Sequence, residues 1–117
     1  MLDDTELAHL EKRLRDELAT LERDADYRRQ STGAVELDQA RTGRLSRMDA
    51  LQGQAMAKAT AARAGRRVLL IRAALRRLDE GRYGDCVRCE EPITPGRLRS
   101  DAATALCIDC AARAERS

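Results

Sequence analysis

All four cysteines of this 117-residue chain lie in two CxxC pairs, Cys86/Cys89 and Cys107/Cys110. Each pair can present two thiolates from one tight turn, and the 17 residues between Cys89 and Cys107 suffice for a loop that brings the turns together. Four thiolates can complete a tetrahedral shell around Zn²⁺ at about 2.3 Å, which leaves no position open for a substrate. The spacing therefore predicts a structural zinc site bound by all four cysteines.

Disulfides and thiol redox chemistry are the alternatives for these cysteines. The opening segment MLDDTELAHL lacks the basic and apolar regions of a secretion signal, and no run approaches the roughly 18 apolar residues of a membrane span. We therefore expect a soluble cytoplasmic protein that does not contact a membrane, and a reducing cytoplasm disfavours static disulfides. The βαβ pattern expected around a redox CxxC is missing from the sequence, so zinc remains the preferred interpretation.

The elements that position the cysteines are predicted to be long helices. The chain is 36% charged and has two Tyr, no Phe and no Trp, a composition typical of amphipathic helices and poor in side chains for a large core. A first helix is predicted over about 4–30, where apolar residues recur every three or four positions: Leu7, Leu10, Leu14, Leu18, Leu21 and Ala25. The segment STGAVE predicts a turn over about 31–37. A second helix is predicted over about 38–81, because Gly81 is a typical helix-ending residue.

The two helices are predicted to pair as an antiparallel coiled-coil hairpin, a domain that spans 1–81. Residues 1–40 carry 11 acidic and 6 basic side chains, whereas residues 41–82 carry 3 acidic and 11 basic ones. A second apolar stripe would set small residues opposite the leucines of the first helix: Leu45, Met48, Leu51, Ala55, Ala59 and Ala62. The alternative is that each helix buries its stripe against another chain.

Residues 82–117 are predicted to form a zinc-finger module with a short C-terminal helix. The second helix is expected to extend beyond the first, which leaves the apolar side chains of 68–78 without cover. Four side chains from the C-terminal part are expected to supply that cover: Leu98, Leu106, Ile108 and Ala112. The predicted fold class is therefore all-α, a long hairpin with a small four-cysteine module at its base.

The stretch AALRRLDEGRYGDCVRCEEPITPGRLRSDAATALCIDC resembles the DksA/TraR family of bacterial RNA polymerase-binding transcription regulators. Besides the cysteines, the family pattern G-x-Y/F-G-x-C-x-x-C…I…R-L…C-x-x-C is matched at Gly81, Tyr83, Gly84, Ile93, Arg97 and Leu98. The chain departs from the family at Glu90, where Gly is usual, and at Ala102, where Pro is usual. Neither departure removes a metal ligand.

The resemblance implies a regulator that binds RNA polymerase and inserts its coiled-coil tip into the secondary channel to modulate initiation, without sequence-specific DNA binding. The family's tip pattern Asp-x-x-Asp-x-Ala is matched at Asp38 and Ala40, whereas Val35 replaces the first Asp. Glu36 is the carboxylate nearest to the missing one. Asp38 could also serve as the N-cap of the second helix.

A basic patch on the second helix, made of Arg63, Arg66 and Arg67, is predicted to bind an acidic surface or phosphates. The alternative is a solvated helix face. Some members of the family respond to ppGpp. Arg63 keeps one of their basic contacts, but Leu70 and Ala111 stand at positions that are basic in responsive members. The resemblance therefore makes ppGpp a possible but doubtful ligand.

An enzyme is not expected from this sequence. His9 is isolated on the first helix, and the sequence offers no nucleophile triad, paired carboxylates or glycine-rich phosphate loop in a suitable context. Two other functions remain open. A zinc ribbon could bind nucleic acid directly, which the basic helix favours and the lack of stacking aromatics disfavours. A coiled-coil adaptor could dimerise through the face of 68–78, although a monomer is the preferred state.

Overall fold

The computed structural model describes the backbone of residues 2–39 and 44–116, and the side chains of residues 2–30 and 47–116. Its helices are α1 (Asp4–Gln39), α2 (Arg44–Asp79), α3 (Pro95–Ser100) and α4 (Ile108–Arg116). Within the described residues the only β-type pairing is an isolated antiparallel bridge between Asp85 and Pro92. The predicted fold class, a helical hairpin followed by a four-cysteine module, is confirmed.

Local interactions favour helix at the start of α1. The Asp3 carboxylate accepts a 2.8 Å hydrogen bond from the backbone N–H of Glu6, which caps one of the free amides of the first turn. Asp4 and Glu6 place negative charge at the positive end of the helix dipole. The helix then carries ion pairs at the spacing of one turn, such as Arg15 with Glu11 at 2.9 Å. None of the helices described is long and apolar enough to cross a membrane.

The turn predicted at 31–37 is wrong, because α1 continues as a helix to Gln39. Ser31, Thr32 and Gly33 disfavour helix by at most about 1 kcal/mol each, and the turns on either side can offset that cost. The second helix begins at Arg44, later than expected, and both long helices have 36 residues. The expected inequality of the two arms is therefore also wrong.

The chain divides into two compact units. One unit comprises Met1–Leu18 together with Val68–Ser117, and the other comprises Ala19–Arg67. The first unit thus contains the cysteine module, the start of α1 and the end of α2. The predicted domain boundary between residues 81 and 82 stays a prediction.

The core of the first unit is built from both long helices and the module. Its most deeply buried side chains, all at 2% exposure or less, are Leu10, Leu14, Ile71, Ala74, Cys86, Leu98 and Ala103. Burying a large aliphatic side chain stabilises a fold by about 1.5–3 kcal/mol. Leu98 is buried, as expected of a residue that covers the base of the hairpin. Ile108 is 63% exposed and does not belong to this core.

The apolar stripe predicted to lie inside the hairpin on α2 is on the surface wherever its side chains are described; Leu45, its first member, lies outside the described side chains. Met48 is 68% exposed and Leu51 is 65% exposed. The alanines that continue the stripe are exposed as well: Ala55, Ala59 and Ala62. Partly buried positions on the opposite side of this part of α2 include Ala50 and Ala64. The predicted pairing of this stripe with the leucines of α1 is wrong for two reasons. α2 has apolar residues on two sides, and α1 continues through the predicted turn to Gln39.

Candidate metal centre

The first cysteine pair follows directly on the end of α2. The backbone N–H of Arg82 donates to the carbonyl of Arg77 at 2.8 Å, and the N–H of Gly81 donates to the carbonyl of Leu78 at 3.2 Å. This pattern closes the last turn of the helix and requires a left-handed residue. Gly81 supplies it with φ of 72°, at no cost from a side chain. The reversal directs the chain towards Cys86.

A small β-type turn holds Cys86 and Cys89. The backbone N–H of Cys86 donates to the carbonyl of Glu91 at 2.8 Å, and the N–H of Glu90 donates back to the carbonyl of Cys86 at 2.9 Å. Glu90 closes the turn with φ of 65°, the only left-handed residue other than glycine in the described part of the chain. The position where the family usually has glycine is therefore one that favours glycine.

The second pair lies at the start of α4. The N–H of Ala111 donates to the carbonyl of Cys107 at 2.9 Å, which begins the helix. The N–H of Cys110 approaches the Cys107 sulfur at 3.4 Å. The two turns are joined by a 2.9 Å hydrogen bond from the N–H of Val87 to the carbonyl of Ala105. Backbone hydrogen bonds thus hold the two pairs side by side.

All four predicted ligands come together at one place. Their sulfur atoms lie within 4.8 Å of one another, and those of Cys89 and Cys107 are 3.7 Å apart. A tetrahedral zinc site with bonds of about 2.3 Å has sulfur atoms about 3.8 Å apart. None of the four forms a disulfide. Soft sulfur donors at this separation fit Zn²⁺, so the predicted zinc centre is supported by the geometry of its ligands.

The thiols of Cys86 and Cys110 differ in acidity because their surroundings differ. A hydrogen bond from the backbone N–H of Cys89 is the main reason why the pKa of Cys86 falls to about 6. The pKa of Cys110 rises to about 12, chiefly through its hydrogen bond with the Cys107 side chain. A bound Zn²⁺ would take all four as thiolates, so metal binding at neutral pH releases protons.

Tyr83 fixes the segment between the two cysteine pairs. Its hydroxyl donates a 2.7 Å hydrogen bond to the carbonyl of Ala102. Burial is the main reason why the pKa of this phenol rises to about 12. Sequence comparison with the family pattern found Tyr83, but its partner could not be predicted from the sequence. Ala102 is buried at 4% exposure, so the side chain that replaces the usual Pro is accommodated in the core.

Arg77 borders the metal centre with two of its side-chain nitrogens unpaired among the described residues. A pocket of about 590 Å³ is lined by this side chain and by Cys86, among others. The Nε and Nη2 atoms of Arg77 are buried and have no hydrogen-bond partner among the described residues. Burial is the main reason why the pKa of this guanidinium is lowered. The arginine therefore carries a desolvation cost that hydrogen bonds do not offset.

The other predicted site residues are those of the coiled-coil tip and of the basic patch. Glu36 and Asp38 fall within α1, outside the described side chains, and Ala40 lies outside the described residues altogether. In the basic patch on α2, Arg63 and Arg66 are exposed and Arg67 is partly buried. Arg63 donates to the hydroxyl of Thr60 at 3.4 Å. The functional roles of the tip and of the basic patch stay predictions.

Comparison with known proteins supports the sequence resemblance. Residues 81–116 match the family model for the prokaryotic dksA/traR C4-type zinc finger. The solved structure of transcription factor DksA2 from Pseudomonas aeruginosa matches 97% of this chain and 86% of its own chain, with a TM-score of 0.74 and 24% sequence identity. That likeness shows the fold. No curated protein sequence matched the chain.

Proposed function

Because residues 81–116 match the family model for the prokaryotic dksA/traR C4-type zinc finger, we propose that the protein regulates transcription by binding RNA polymerase. The observation that carries the proposal is the combination of a closed four-sulfur centre with a hairpin of two 36-residue helices. The zinc holds the base of the hairpin, and the hairpin reaches the partner. The protein is not an enzyme in this proposal, since four thiolates leave the metal no open position.

Helix length supports a role in reaching a recessed site. A helix of 36 residues is about 54 Å long at a rise of about 1.5 Å per residue. In the manner implied by the family resemblance, the tip of the hairpin enters the secondary channel of the polymerase and modulates initiation. The protein acts as a cytoplasmic monomer and does not read a DNA sequence. ppGpp is not required, since apolar Leu70, 48% exposed, stands where responsive members have a basic residue.

Binding to core RNA polymerase is the experiment that tests the proposal. We expect the purified protein to bind core polymerase at 50 and 200 mM salt with a modest loss of affinity. A protein that bound DNA through several phosphates would lose affinity about 10³–10⁵-fold over the same range. Binding to free DNA with that steep dependence, and no binding to polymerase, would replace the proposal with direct nucleic-acid binding.

The basic patch is proposed to contact an acidic surface of the polymerase. Arg63 and Arg66 are the members to reverse to Glu, because both are exposed and their replacement leaves the apolar contacts of the helix intact. We expect weaker binding with a reduced dependence on salt. Reversal of Arg23 and Arg29 on α1, also exposed, is the matched control. Equal affinity of all three proteins would identify the basic patch as a solvated face.

The carboxylate of Asp38 is proposed to act at the active centre of the polymerase. Asp38→Asn removes the charge at nearly constant size, and Asn and Asp have similar helix propensities, so the end of α1 that contains Asp38 should keep its helix. We expect nearly unchanged binding to polymerase and a strongly reduced effect on initiation in a purified transcription assay. Glu36→Gln tests whether the neighbouring carboxylate substitutes for the Asp that Val35 replaces. Full regulation by both variants would show that the tip acts without a carboxylate at either position.

A further inference from the structure

The surface of α2 carries an apolar stripe that the hairpin does not use. We call the outer stripe the set Met48, Leu51, Ala55, Ala59 and Ala62, all exposed and all within the unit Ala19–Arg67. At about 100° per residue, these positions fall within about 80° of the helix circumference. The set is therefore one continuous strip, about four turns long, and not a scatter of single apolar residues.

Packing within the unit does not explain the outer stripe. Partly buried Ala50 and Ala64 lie on the opposite side of α2, so the helix already has an inner side. The side that faces water is normally polar. Met48 at 68% and Leu51 at 65% exposure instead leave two large apolar side chains in water next to each other. Contiguous exposed apolar surface of this kind is typical of a site where a protein partner binds.

The shape of the outer stripe suits a helix. Ala55, Ala59 and Ala62 present little more than backbone, so a second helix can approach α2 closely there. Met48 and Leu51 stand at one end of the stripe, where they can insert between the side chains of that helix as anchors. A partner helix would therefore need an apolar stripe of its own.

The charged residues beside the outer stripe indicate which charges its partner should carry. Between residues 47 and 66 the only acidic side chain is Asp49, whereas four are basic: Arg47, Lys58, Arg63 and Arg66. By helical geometry Arg47 and Lys58 lie along one edge of the stripe and Arg63 along the other. A bound helix with acidic residues on both sides of its apolar stripe would be complementary to this arrangement.

We propose that the outer stripe binds an amphipathic helix of a protein partner, one whose apolar stripe is flanked by Asp and Glu. In assigning that helix to RNA polymerase the inference rests on the proposed function, whereas its chemistry is argued from α2 alone. A second copy of the chain is a poorer occupant, because antiparallel pairing of two α2 helices would bring their basic edges together. DNA and RNA offer no apolar stripe to cover Met48 and Leu51.

A designed peptide tests the chemistry of the occupant without the polymerase. The probe is a fluorescent 21-residue helix with Leu at the a and d heptad positions and Glu at e and g, and its counterpart has Lys at e and g. We expect the Glu peptide to bind the full chain at least about ten-fold more tightly than the Lys peptide at low salt, as measured by fluorescence anisotropy. Equal binding of the two peptides, or binding of neither, would overturn the proposal.

Matched variants locate the binding face. Met48→Gln with Leu51→Gln removes both anchors and keeps good helix formers. Met56→Gln is the control, because Met56 is 72% exposed and lies about 80° around the helix from Met48. We expect the double variant to lose at least about ten-fold in affinity for the Glu peptide and for core polymerase, and the control less than two-fold. Circular dichroism should show the same helix content in all three proteins.

The results separate this inference from the proposed function. If the double variant binds polymerase as wild type does, the inference fails and the proposed function stands. If wild type binds the Glu peptide through Met48 and Leu51 but does not bind polymerase, the chemistry of the stripe stands and the assignment of its partner fails. If sedimentation equilibrium shows a dimer that Leu51→Gln dissociates, a second copy occupies the stripe and the proposal is overturned.

Discussion

The guanidinium of Arg99 forms an ion pair with the carboxylate of Glu6, a residue 93 positions earlier in the sequence. Its Nη2 and Nε atoms lie 2.6 and 2.8 Å from the same Oε1 atom. Arg13, two turns further along α1, donates to the backbone carbonyl of Arg99 at 2.9 Å. These contacts attach α3 of the cysteine module to the start of α1. The module and the first turns of the chain therefore belong to one folded unit.

A double-mutant cycle on Glu6 and Arg99 measures the strength of this attachment. The two side chains are 34% and 58% exposed, so solvent weakens the ion pair, and we expect a coupling free energy of about 0.5–1 kcal/mol. The cycle uses Glu6→Gln and Arg99→Gln, with unfolding followed by urea. Glu11 with Arg15, a pair within one turn of α1, is the comparison. Additive effects of the two substitutions would show that the contact does not stabilise the unit.

The zinc centre could be predicted because its signal is local. Each pair of ligands is defined by the local CxxC spacing. The two pairs together supply the four sulfurs that a closed zinc shell requires. The register of α1 and α2 could not be predicted in the same way. It depends on where a turn forms, and Ser31, Thr32 and Gly33 change helix stability by an amount that neighbouring turns can outweigh.

Long-range polar contacts left no signal in the sequence. Glu6 and Arg99 look like ordinary surface charges, and nothing near Tyr83 indicates that its hydroxyl donates to Ala102. Such contacts follow from packing, which depends on the whole unit. The second apolar stripe of α2 was visible in the sequence, but its periodicity could not tell an inner side from an outer one.

Loss of a metal ligand should disorder the first unit more than the second. Changes in the surroundings of zinc ligands cost about 10–100-fold in affinity, so we expect Cys107→Ser to weaken zinc binding by more than about 100-fold. Helix content, from circular dichroism at 222 nm, should fall only in part, because the unit Ala19–Arg67 contains no cysteine. Thr104→Ser is the control for a serine in the same segment. Full zinc content in Cys107→Ser would contradict a four-sulfur site.

Tyr83 should ionise only at high pH, and its ionisation should reduce the stability of the module. Its pKa is about 12 in the folded chain and about 10 in an unfolded one. Because the folded value is the higher, its contribution to stability is complete below about pH 10 and is lost as the pH rises towards 12. Absorbance at 295 nm in a Tyr27→Phe background follows Tyr83 alone. A midpoint close to 10 would mean that the phenol is not buried.

Glu90→Gly should stabilise the first cysteine turn. Glu90 adopts φ of 65°, which a residue with a side chain reaches at a cost of about 1 kcal/mol. Glycine removes that strain but adds freedom to the unfolded chain, so we expect a net gain of about 0.5 kcal/mol in the free energy of unfolding. Arg88→Gly, two positions earlier and without a left-handed backbone, should instead destabilise. Equal effects of the two glycines would show that Glu90 is unstrained.

Arg77→Met should stabilise the protein, although it removes a charge beside the metal centre. The Nε and Nη2 atoms of Arg77 are buried without a partner among the described residues, and such a group costs about 1–3 kcal/mol. Met keeps most of the apolar stem and removes the cost, so we expect the free energy of unfolding to rise by about 1 kcal/mol. Arg97→Met is the comparison: the Nε of Arg97 is also buried without a partner among the described residues, but its Nη2 donates to the carbonyl of Leu106 at 3.1 Å, and loss of that bond should destabilise.

Zinc affinity decides between two roles for Arg77. Four thiolates around Zn²⁺ carry a net charge of −2, and a buried guanidinium on the wall of the same pocket as Cys86 could offset part of it. If hydrogen bonding alone matters, Arg77→Met raises stability and leaves zinc affinity unchanged in a competition with a chelator. If the charge is needed, the same variant binds zinc more weakly and its gain in stability disappears. Arg77→Lys keeps the charge without the guanidinium. If the charge is needed, this variant should bind zinc more tightly than Arg77→Met; if it is not needed, the two variants should bind zinc equally.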